Sequence, residues 1–245
     1  MTSRFQNLLR SLEKNEIQQV IISNLEHGNL SLRMLEELLK SSSEVDSLEL
    51  DVILSNAQFH LLGSWLAGGS CHLRYLGLSY CGQSILSFFR SLSSTNLRMR
   101  LQEVRLDLNQ NGILPTVNDQ RVVQQCFSTI PFVKLTIVIH TDHEPVRDEQ
   151  QDDRMLVLID CIVQGLKQNA HPTQLKIFDA NNTRKQLWMD GMCRLIVKRN
   201  ATLQRIRKNW SQLEHHPQLW SPILANTTDL DASYLLCRNL VLLQN

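Results

Sequence analysis

The sequence predicts an α/β solenoid of about seven strand-helix repeats, with a parallel sheet on the concave side and helices on the convex side. Three observations predict it. The pattern apolar-x-x-apolar-x-apolar falls at Ile17/Val20/Ile22, Val45/Leu48/Leu50, Leu73/Leu76/Leu78 and Leu101/Val104/Leu106, at intervals of 28 residues. It continues at Phe132/Leu135/Ile137, Pro172/Leu175/Ile177 and Leu203/Ile206, at intervals of 31, 40 and 31. Between these short strands, apolar residues recur at i, i+1, i+4 and i+5, as in Met34/Leu35/Leu38/Leu39, which marks one helical face. Parallel strands need such crossovers. One unit cannot bury both its strand and its helix, so stacking must supply the core.

Residues 1–16 read as an N-terminal capping helix, since Phe5, Leu8, Leu9 and Leu12 share a face with Arg4, Arg10 and Glu13 off it. Such a cap hides the unpaired edge of the first strand. Residues 17–210 carry the repeats. Leu66-Ala67-Gly68-Gly69-Ser70 is a helix stop, where glycine is expected in the left-handed conformation. In the fifth unit, His140 to Arg154 is a polar, acidic insertion between strand and helix, of the kind that carries contacts at a rim or stays solvated. Leu187, Trp188, Gly191, Met192, Leu195 and Ile196 mark the next helix. After Trp210 the pattern decays, and residues 211–245 read as a degenerate last repeat and C-terminal cap.

The chain has 245 residues, 25 basic and 24 acidic, so its near-zero net charge argues against nucleic acid as a partner. No apolar run approaches a membrane span, and the first residues do not read as a signal peptide. The six cysteines lie far apart without a C-x-x-C pair, so a reducing, cytoplasmic setting is expected, with the thiols packed in the core. His140-Thr141-Asp142-His143-Glu144 collects metal-ligand types, but its spacing matches no zinc motif; neither metal nor cofactor is expected. Gly68-Gly69-Ser70 lacks the Gly-Lys-Ser/Thr of a phosphate loop, and neither G-x-S-x-G nor H-E-x-x-H occurs.

Cys81 and Asn109 stand three residues after the last strand leucine, and the passages Lys167 to Leu175 and Lys198 to Leu203 lead from helix to strand. In these residues and in repeat length the chain resembles the leucine-rich repeats of ribonuclease inhibitor and its relatives. The resemblance implies a leucine-rich-repeat horseshoe that binds, and can inhibit, a partner protein. It covers residues 17 to 210. In style the chain also resembles leucine-rich-repeat effectors that intracellular bacterial pathogens inject into host cells, which implies a host protein or another effector as partner and delivery into the host cytosol. Alternatives are a GTPase-activating protein of the Ran type acting through Arg105 or Arg74, and a recognition fragment of a larger receptor or ubiquitin ligase.

Side chains alternate across a strand, so the residues between the leucines face out along the concave sheet. Those expected to contact a partner are Glu49, Asp51, Tyr75, Glu103, Arg105, Asp107, Lys134, Lys176, Phe178, Arg205 and Arg207. Acids fall mostly on the earlier strands and bases on the later ones, which predicts a dipolar groove that orients its partner. Tyr75, Arg105 and Phe178 are the expected anchors, because aromatic and arginine residues dominate binding hot spots. The expectation is therefore a non-catalytic binding module, monomeric on its own.

Overall fold

The structure is a computed structural model and describes residues 3–14, 16–23, 30–41, 44–68, 72–93, 101–109, 115–130, 132–140, 149–169, 172, 174–179 and 183–208. Strands and helices alternate throughout: α1 (Ser3–Glu13), β1 (Gln19–Ser23), α2 (Leu32–Ser41), β2 (Ser47–Asp51), α3 (Asn56–Ala67), β3 (Tyr75–Cys81), α4 (Ile85–Ser93), β4 (Glu103–Asn109), α5 (Val117–Thr129), β5 (Lys134–His140), α6 (Glu149–Leu166), β6 (Gln174–Asp179) and α7 (Thr183–Lys208). The six strands form one parallel sheet in chain order, a leucine-rich-repeat type of α/β solenoid.

The repeat spacing read from the sequence sets the register. Gln19 pairs with Ser47, Ser47 with Tyr75 and Tyr75 with Glu103, and the longer intervals follow as Glu103 with Lys134 and Lys134 with Gln174. Each inward leucine position thus stacks on its equivalent in the next unit. Val20, Leu48, Leu76, Val104, Leu135 and Leu175 are all buried in one continuous core beneath the helices. Phenylalanines tie the units together: Phe59, Phe88, Phe89, Phe127 and Phe132 form a chain of tilted and edge-to-face rings with centroids 5.4 to 6.3 Å apart.

Local signals explain the helix starts. Ser55 with Gln58 and Thr116 with Asp119 make capping boxes at α3 and α5, each satisfying backbone N–H groups that a first turn leaves unpaired. Gln58 also donates to the Leu30 carbonyl, and Ser84 to the Leu54 carbonyl at 2.9 Å, so these polar residues link successive units. Gly68 does end α3, but with φ −64° it sits in the right-handed region, its N–H bonded to the Ser64 carbonyl. The left-handed cap expected there is not used by Gly68, because the last turn closes in regular helical geometry.

Two further expectations are corrected. The seventh strand at Leu203/Ile206 does not form: α7 runs through it to Lys208. Met189, Cys193, Ile196, Asn200 and Leu203 are buried at helical spacing, and the strand pattern lacks its third apolar residue because Lys208 stands there. Proline precedes β5 at Pro131 and β6 at Pro172, whereas no proline or glycine interrupts residues 199 to 208. The insertion also shrinks. His140 closes β5, and Glu149 to Arg154 form the first turns of α6, where no helix breaker follows Pro145. Residues 141–148 and the expected cap at 211–245 lie outside the described residues.

Candidate protein-binding surface

One face of the sheet lies under the helices and the other is open. Helices are about 10 to 12 Å across and strands about 4.8 Å apart, so packing the two layers bends the open face inward. The register lays that face out in rows across the strands. The middle row reads Ile21, Glu49, Gly77, Arg105, Thr136 and Lys176; one flanking row reads Gln19, Ser47, Tyr75, Glu103, Lys134 and Gln174. In the other flanking row Ser23 pairs with Asp51, and Asp107 with Val138 and Val138 with Phe178. Nine of the eleven expected contact residues, all but Arg205 and Arg207, therefore share this face. Arg205 and Arg207 instead belong to α7, for the reasons given above.

The centre of the face is already paired with itself. Arg105 grips Asp107 with two hydrogen bonds of 3.1 Å, Nε to Oδ1 and Nη2 to Oδ2, and Lys134 pairs with Glu103 across β4 and β5. The hydrogen bonds that Arg105 donates to Asp107, with the carboxylate's charge, hold the guanidinium above its ordinary pKa. Arg74, just before β3, pairs with Asp46. These contacts reduce the expected dipole: the positive half loses two arginines to α7 and Lys134 to an acid, which leaves Glu49 and Asp51 on β2 and Lys176 on β6 without ion pairs among the described residues. They also engage both arginines that a GTPase-activating reading would need.

Tyr75 is fixed rather than free. A Cβ added at Gly77 would stand 2.9 Å from the Tyr75 hydroxyl and 3.1 Å from Glu49 Cγ, so the ring and the glutamate stem lie over the glycine. Burial there, and then the Glu49 carboxylate, push the phenol above its ordinary pKa. A side chain at position 77 would push the Tyr75 ring end aside and crowd the Glu49 stem.

Sequence reasoning missed Tyr80. Strict alternation after Leu76 and Leu78 would turn it inward, but β3 carries a bulge between Leu78 and Cys81, so Cys81 pairs with Leu108 and is buried instead. Tyr80 is left exposed at φ 52°, in the left-handed region. The signal was the buried-type residue Cys81 at the wrong parity. Ile53, after β2, was likewise missed and is 70% exposed.

The surroundings of the described thiols disfavour the thiolate. Burial pushes Cys81, Cys126 and Cys193 well above the usual thiol range, and Cys161 is raised as well. Among the described residues no group of three or more His, Cys, Asp or Glu could hold a metal, and no helix is long and apolar enough to cross a membrane. Asp142, His143, Glu144, His215 and His216 lie outside them.

No family model matches the chain, and no curated protein matches its sequence. Among solved structures it is similar to leiomodin-1 actin-binding site 2, with 10% sequence identity and a TM-score of 0.43 over 88% of this chain and 100% of that one. It is also similar to the C-terminal domain of Caenorhabditis elegans tropomodulin, with 13% identity and a TM-score of 0.44 over 84% of this chain and 98% of that one. Likeness at this level says nothing about what this chain binds.

Proposed function

We propose that the chain is a non-catalytic module that grips a partner protein through the open face of its sheet. The observation that carries this reading is the open face itself: six strands left uncovered by the helices, bearing fixed charge pairs and the exposed side chains of Ile21 and Phe178. Its five strand spacings span about 24 Å, room for a small domain or a helix. Exposed apolar side chains beside a preorganised polar lattice suit recognition, since little entropy is lost on binding. The contact set is Glu49, Asp51, Tyr75, Glu103, Arg105, Asp107, Lys134, Lys176 and Phe178. In its finer form the proposal is an effector that masks a host or bacterial protein in a reducing cytosol; the free thiols of Cys81, Cys126, Cys161 and Cys193 support that setting.

Affinity capture tests it, comparing the native chain with a folded Tyr75→Ala/Arg105→Ala/Phe178→Ala variant. Loss of one dominant partner in the variant is expected. Full retention of that partner moves binding off the sheet and overturns the reading.

A further inference from the structure

Charges on and beside the open face are not evenly matched. Asp46 has Arg74, Glu103 has Lys134 and Asp107 has Arg105, all within ion-pair distance. Glu49 and Asp51 form no ion pair among the described residues, although they stand two apart on β2 and face the same side. They are therefore a local excess of two negative charges at the β2 end of the face, with Lys176 the base left without an ion pair at the β6 edge among the described residues.

Apolar groups frame those carboxylates. Ile21, 56% exposed, is the cross-strand neighbour of Glu49 on β1, and the Tyr75 ring lies against Glu49 on the β3 side, over Gly77. Ile53, two residues past β2, and Tyr80, next to last in β3, are 70% and 54% exposed. Tyr80 holds a left-handed backbone conformation that a non-glycine residue adopts at a cost, so its outward placement is maintained against strain. An aromatic face beside paired carboxylates is the chemistry that receives a cation on an aliphatic stem: the charge meets oxygen and ring, and the stem meets the apolar frame.

We infer that the β1 to β3 end of the open face takes a basic segment of the partner protein, with lysine or arginine next to an aliphatic side chain. This rests on the open-face reading above and assigns the chemistry of its occupant. Lys176 and Phe178, at the opposite edge on β6, lie outside this subsite.

Fluorescence anisotropy on the whole chain tests the assignment with two short labelled peptides, one in which arginines flank a leucine and one with glutamates in place of the arginines. The arginine peptide is expected to bind, less tightly as salt rises. Glu49→Gln/Asp51→Asn, which keeps shape and removes charge, should weaken it by about tenfold, the scale of one or two exposed charge contacts. Glu36→Gln/Glu37→Gln, which removes two carboxylates from α2 in the helix layer, should leave it unchanged. Gly77→Ala, which shifts the Tyr75 ring and the Glu49 stem without altering charge, should also weaken binding. Failure of the arginine peptide to bind, equal binding of the glutamate peptide, or undiminished binding to the charge variant overturns the inference. The captured partner separates this from the broader reading. A partner lost on Lys176→Gln/Phe178→Ala but kept on Glu49→Gln/Asp51→Asn leaves the open face in place and removes the basic segment. A partner kept by both variants removes both.

Discussion

The first four strands and the last two solve the same stacking problem differently. From β1 to β4 the repeat interval is 28 residues, equivalent side chains fall on one another, and the units are held by leucine layers and the phenylalanine chain from Phe59 to Phe127. From β5 onward the helices lengthen, to 18 residues in α6 and 26 in α7, and buried polar side chains take over the connections. Asn169 donates to the carbonyls of Phe127 and Ile130 at 2.9 and 2.8 Å, and Asn200 to that of Pro172 at 2.6 Å. Arg199, 1% exposed, donates to the carbonyls of Leu166, Lys167 and Asn169 at the end of α6. A guanidinium there satisfies carbonyls that a helix end leaves unpaired and complements the negative end of its dipole. Burial lowers its pKa to about 10, so it stays charged at neutral pH. In the regular units such side-chain bonds to carbonyls come singly and supplement the apolar layers, as Gln58 to Leu30 and Ser84 to Leu54 do; in the irregular units they gather at one joint around Asn169, Arg199 and Asn200.

Breaking each joint should expose that difference. Phe89→Ala removes the middle of the phenylalanine chain and should cost about 3 to 5 kcal/mol in denaturant unfolding. Arg199→Met leaves several buried carbonyls without a donor and should cost about 3 kcal/mol. Hydrogen exchange should then show α7 and β6 opening first, with β1 to β4 still protected; uniform loss of protection would deny the two regimes. Gly165→Ala tests the seam between them. An added Cβ would meet the Gln124 carbonyl oxygen at 2.5 Å and Phe127 Cβ at 2.8 Å, so α5 and α6 must separate, at about 1 to 3 kcal/mol.

A smaller effect comes from Asp119, which is buried at the start of α5 and bonded to Thr116 and Arg90. Burial favours its neutral form, but the hydrogen bonds from Thr116 and Arg90 prevail and hold the carboxyl below its ordinary range. Its contribution is thus complete above the unfolded carboxylate pKa and is lost as pH falls through the lower folded value. Melting temperature should drop more steeply in acid for the native chain than for Asp119→Asn. The smallest change is expected for Arg105→Ala, about 1 kcal/mol or less, since the guanidinium is half exposed and the loss is mainly of its pair with Asp107.

Most of the fold was legible because a strict 28-residue interval can satisfy only one register. What the sequence concealed has local physical causes. Leu203 and Ile206 stand three apart, a spacing shared by the first two apolar positions of the repeat and by a helical face, so only the absence of a breaker and the lysine at position 208 distinguish them. The bulge that exposes Tyr80 is a backbone event whose trace in the sequence is Cys81, a buried-type residue at outward parity. On the open face, alternation located nine of the expected contact residues, but which charges neutralise one another depended on cross-strand register and rotamer, as Lys134 with Glu103 shows.

Hydroxyl-radical footprinting of the complex with its captured partner measures the central claim directly. Binding through the open face predicts that Tyr75 and Phe178 lose reactivity while Met34 and Trp65, partly exposed on the helix layer, keep theirs. Protection of Met34 and Trp65 with Tyr75 and Phe178 unchanged would place the partner on the helices and contradict the account.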